Sequence, residues 1–61
     1  MDKGTLKDIY FLYRDEMNGD QPYYADELII SHLLALGYDS PTAHTMLCTV
    51  SCLYDIGAEI L

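Results

Sequence analysis

Apolar and polar positions alternate along this chain at a helical period, with one exception. In residues 6–17, Leu6, Ile9, Tyr10, Tyr13 and Met17 share one face of a helical wheel, while Lys7, Asp8, Arg14 and Asp15 lie elsewhere. From 41 to 55, Ala43, Met46, Leu47, Val50, Leu53 and Tyr54 form a second stripe, continued by Gly57 and Leu61. Opposite it stand His44, Cys48, Ser51, Cys52, Asp55 and Glu59. The exception is the middle segment, 28–36 (LIISHLLAL), whose apolar side chains point almost all the way round, interrupted only by Ser31 and His32. A helix apolar on every side needs cover on every side. The pattern predicts an all-α three-helix bundle, with helices over about 5–17, 22–36 and 41–55, forming a single domain over 1–61. The run IYFLY (9–13) has strand-like composition, but its charged flanks and 3.6 period favour helix.

Punctuation between the stripes supports these boundaries. Thr5 with Asp8 is a near capping box for the first helix. The stretch Asn18-Gly19-Asp20-Gln21-Pro22 is a break in which Gly19 is expected to end that helix at positive φ. Asp20 can cap the next helix and Pro22 suits its first turn. Gly37 sits at the C′ position of the middle helix. Ser40 and Pro41 read as N-cap and N1 of the third, and Gly57 as a break near its end.

The outer helices each use their stripe against the middle one, so part of the middle helix is expected to stay uncovered: Ile30 and Leu34, or Ile29 and Leu33. Phe11, Leu12 and Ile56 also lie off the stripes. Together they exceed the apolar patch that monomers usually expose. A homodimer, or an apolar docking surface for another protein, follows as the expectation. Chains this short bury only about 60% of their unfolded surface, and oligomerisation is one common compensation.

Charge sharpens the choice of partner. The chain has net charge −7, and its only basic residues are Lys3, Lys7 and Arg14. Such a field disfavours direct binding to nucleic acid or anionic lipid and favours a basic protein surface. Asp15, Glu16, Asp20, Asp26, Glu27 and Asp39 gather near the expected helix ends, an arrangement that permits nucleic-acid mimicry. No apolar run reaches the roughly 20 residues of a membrane span, and the start lacks a signal-peptide pattern. Two cysteines in that setting are expected to be reduced, and the expected location is cytoplasmic.

Candidate chemistry is thin. His44, Cys48 and Cys52, at i, i+4 and i+8, line one flank of the third helix and could serve as zinc ligands, with a fourth from His32, Asp55 or a second chain. One helix rarely supplies three ligands to a tetrahedral ion, so a metal- or redox-responsive sensor is the alternative and not the lead. Cys48 and Cys52 have no cation nearby in sequence to stabilise a thiolate, and no oxyanion donor accompanies His44. The pairs Asp15–Glu16 and Asp26–Glu27 diverge by about 100° on a helix and do not converge on one atom. The six tyrosines suit either a core edge, with the hydroxyl in water, or an interface.

The segment LLALGYDSPTAHTML (33–47) loosely resembles the Gly-aromatic loop and following helix of ubiquitin-associated domains. The first helix lies on the wrong side for that fold, and the resemblance is not adopted. A helix-turn-helix drawn over the same residues has no basic side chain on its second helix. The expectation is a non-enzymatic interaction module needing no cofactor. By association it belongs with small acidic regulators or inhibitors such as those of bacterial mobile elements. It would dock through Phe11, Leu12, Ile30, Leu34 and the acidic pair Asp26–Glu27.

Overall fold

The computed structural model describes residues 3–57 of the 61. Helix α1 spans Lys3–Met17, α2 spans Ala25–Ala35 and α3 spans Ser40–Asp55, with one 3₁₀ turn at Pro22–Tyr24 leading into α2. Each helix packs against the other two, and no strand occurs among the described residues. The chain is a small three-helix bundle, as the periodicity predicts.

The stripes of α1 and α3 meet as expected. Ile9, Tyr10 and Tyr13 of α1 and Ala43, Met46, Leu47 and Val50 of α3 are buried, with Leu6, Met17, Leu53 and Tyr54 packed at the margin. The ambiguity of the middle helix is resolved in one direction: Ala25, Ile29 and Leu33 are buried, and Ile30 is half-buried. Leu28, Leu34 and Leu36 remain exposed. Tyr10 and Tyr13 lie deeper than a core-edge role implies. Tyr13 stacks edge-on against Tyr54, ring centroids 5.4 Å apart, and its hydroxyl reaches Ser51 Oγ at 3.5 Å. Leu12, expected outside the stripes, is half-buried against the core.

Several boundaries shift. Helix α1 spans Lys3–Met17, so Thr5 lies within it and not ahead of it; its hydroxyl receives the Tyr38 hydroxyl at 3.4 Å. Gly19 does not take positive φ; the chain leaves α1 through Asn18 N–H to the Arg14 carbonyl and Gly19 N–H to the Glu16 carbonyl. Gln21, not Asp20, holds the N-cap position of the next turn, without a side-chain capping bond, and that turn is 3₁₀ before the chain becomes α. Asp39, with extended backbone, precedes α3, and Ser40 is already helical. Proline at 41 accounts for the displacement, since its fixed φ is tolerated anywhere in the first turn. The proposed continuation through Leu61, and Glu59 with it, lies outside the described residues.

Gly37 behaves as predicted. At φ 102° it lets the Tyr38 N–H reach the Leu33 carbonyl (3.2 Å) while its own N–H reaches that of Leu34 (3.0 Å). These are the paired bonds of a Schellman ending, and half-buried Tyr38 supplies the apolar contact that usually accompanies it. A Cβ at 37 would meet nothing within 4 Å, so the cost of Gly37→Ala is entirely that of the left-handed backbone. About 1–2 kcal/mol is expected. Thermal unfolding should show it as a melting temperature lowered by roughly 5–15 °C. An unchanged melting curve would mean that residue 37 is not held in this conformation.

Candidate interaction surface

Helix α2 turns its first turn toward α3, and the seam between them opens into a hollow of about 380 Å³. Asp26, Glu27, Ile30 and Ser31 line it from α2, His44 and Leu47 from α3. A second, shallower hollow of about 290 Å³ adjoins it along the outer side of α2, lined by Tyr24, Glu27, Leu28 and Ser31. The two share Glu27 and Ser31, one turn apart on α2. Asp26 and Glu27 occupy the first turn of α2, where the positive end of the helix dipole favours carboxylates. Leu34, one turn beyond Ile30, carries the apolar strip onward and is 45% exposed.

Three of the six predicted contact residues, Asp26, Glu27 and Ile30, therefore line one hollow, and Leu34 extends its line along α2. Phe11 and Leu12 do not join them. Phe11 sits beneath the Arg14 guanidinium, 4.8 Å from its ring centroid, with the Tyr10 ring edge-on at 5.8 Å. Phe11 stays exposed, with the Arg14 cation lying over its ring.

His44 and Leu47 were not expected at this surface. Leu47 carries the core stripe out to its edge. His44 Nδ1 lies 2.8 Å from the Ser40 carbonyl oxygen. A carbonyl only accepts, so Nδ1 is the donor in this contact. Sequence did hold one usable signal: between Leu28 and Tyr54, Asp39 is the sole Asp, Glu, Lys or Arg. Typical small-domain surfaces are about a quarter to a third charged. The outward sides of α2 and α3 are thus electrically bare, with carboxylates only at their ends.

Cys48 and Cys52 are free thiols, both exposed, one turn apart on α3. Among the described residues no three His, Cys, Asp or Glu side chains come together in a way that could hold a metal ion. His32 is exposed on α2. Tyr23 and Tyr24 pack on each other, centroids 4.8 Å apart, whereas Tyr38 turns to Thr5. No helix among the described residues is long and apolar enough to cross a membrane. Set against known family models, curated proteins and solved structures, the chain matches none.

Proposed function

We propose that this protein is a non-enzymatic interaction module, a small acidic regulator or inhibitor. It self-associates as a homodimer and docks on a basic, partly apolar surface of another protein. The observation that carries this reading is the make-up of the α2–α3 hollow. Two carboxylates stand at its rim, Ile30 and Leu47 supply apolar wall, and neither helix contributes a Lys or Arg. A Lys or Arg next to an apolar anchor on the partner satisfies both halves of that site. The charged half sets encounter rate and register, and the apolar half supplies the desolvated centre.

The test is capture by the immobilised full chain from the cells that make it, in low and in high salt, followed by sizing of the complex. A stoichiometric partner with a basic surface, retained at low salt and released as ionic strength rises, is expected. Recovery only of material indifferent to salt, or of none, would overturn the reading.

A further inference from the structure

We infer that a second copy of this chain seats its α1 line Lys3–Lys7–Phe11–Arg14 in the hollow between α2 and α3, each copy giving that line to the other about a two-fold axis. The inference rests on the self-association proposed above and assigns it two faces. Lys3, Lys7, Phe11 and Arg14 are all exposed and follow one another at spacings of 4, 4 and 3 residues, so they stand in one row along α1. That row holds every Lys and Arg of the chain. Asp8 and Asp15, next in sequence to Lys7 and Arg14, lie about 100° further round the helix. The exposed Phe11 ring, with the Arg14 guanidinium 4.8 Å from its centroid, sets apolar surface and cation side by side.

Charge selects the occupant and both faces. Two chains of net charge −7 repel one another, so a self-contact needs cations set against carboxylates to offset that field. The cations all lie on this one row of α1. The outward sides of α2 and α3, bare of charge, supply no such attraction. On the receiving side, Asp26 and Glu27 stand at the rim of the hollow, and Ile30 and Leu47 form its apolar wall. Cations beside an apolar ring are the complement of that rim and wall, and α1 of a second copy carries them. In a two-fold pair the contact is made twice, row to hollow and hollow to row. The hollow is also the proposed dock for a basic partner, so partner and second copy compete for it. Self-association covers Asp26 and Glu27, and a partner reaches them by displacing α1.

Sedimentation equilibrium of the fully reduced chain, at one protein concentration throughout, tests this. The expected mass is twice 6.9 kDa, falling toward that of one chain as ionic strength rises. Lys7→Glu with Arg14→Glu, and separately Asp26→Lys with Glu27→Lys, should each give the single-chain mass while the helical circular dichroism persists. An equimolar mixture of the two variants should restore the doubled mass. In it the reversed row meets the reversed hollow, and the native row meets the native hollow. Net charge does not produce that result, because the reversals shift −7 by four, to −11 and to −3, and both variants stay negative. Cys48→Asp, on the outward side of α3, should leave the mass doubled. A single-chain mass for the unaltered chain overturns self-association itself, while capture of a basic partner stands or falls by its own test. A doubled mass that survives Lys7→Glu with Arg14→Glu, or that Cys48→Asp abolishes, overturns only the assigned faces, as does a mixture that stays at the single-chain mass. Should the α2 reversal fail to fold, the α1 reversal decides alone, and a doubled mass that survives it counts against the faces.

Discussion

Leu33→Ala is expected to remove most of the stability of this fold, while Leu34→Ala, one residue further on, is expected to cost little. Leu33 is fully buried between the helices, and its neighbour is 45% exposed. Truncating a buried leucine loses the transfer energy of its removed carbons and leaves a cavity, about 2–5 kcal/mol together. At roughly 0.05–0.15 kcal/mol per residue, a chain of 61 residues holds about 3–9 kcal/mol in all. The first variant is therefore left near or below the threshold of folding. Leu34→Ala exchanges one good helix former for a better one at a half-open position, and less than about 1 kcal/mol is expected. Urea unfolding followed by circular dichroism, at one protein concentration for both variants, measures the difference. Equal losses would mean that α2 is rotated from the orientation described here.

Reversing the acidic rim, Asp26→Lys with Glu27→Lys, is expected to release the captured partner. Two attractive contacts become repulsive ones beside a desolvated apolar contact, and like charges at an interface cost several kcal/mol. A loss of about 2–4 kcal/mol corresponds to roughly 30- to 1000-fold in affinity. The control is Asp15→Lys with Asp20→Lys, two exposed carboxylates away from the hollow, which makes the same change in net charge from −7 to −3. Only a modest weakening is expected from it, through the long-range field. Because Asp26 and Glu27 also favour the first turn of α2 by about 0.3–1 kcal/mol each, a neutral pair, Asp26→Asn with Glu27→Gln, separates charge from folding. It should fold and bind with intermediate strength. Equal weakening by both reversals would reduce the hollow to a contributor of bulk charge.

Local rules carried far in this chain wherever one residue's own chemistry decided the outcome. Gly37 ends α2 because its missing Cβ allows φ 102°, and that was readable from its place after an apolar run. Gly19 looked equally suited, but the chain leaves α1 by the turn bonds of the Asn18 and Gly19 N–H groups, which need no left-handed residue. Thr5 was misplaced for a related reason. A capping pattern marks a place where a helix can start, and among the described residues Lys3 and Gly4 are already helical ahead of it. Phe11 was chosen as bare apolar surface. It is exposed, and Arg14, i+3 on the same helix, lies over its ring at a spacing that is legible in the sequence. The charge gap from Leu28 to Tyr54 was equally open to view, and it marks the bare sides of α2 and α3 better than apolar counting does.

By itself the sequence determined the number of helices, the stripes of α1 and α3, the ending of α2 and the acidic field, since each depends on residues within a few positions of one another. It left α2 undecided, because a helix apolar on all sides has no stripe to orient it. Only the packing of α1 and α3 against it chose Ala25, Ile29 and Leu33 for the inside and left Leu28 and Leu34 outside. The same packing brought His44 and Leu47 up to Asp26 and Glu27. Which faces meet depends on how three surfaces fill space together, and no single segment carries that information.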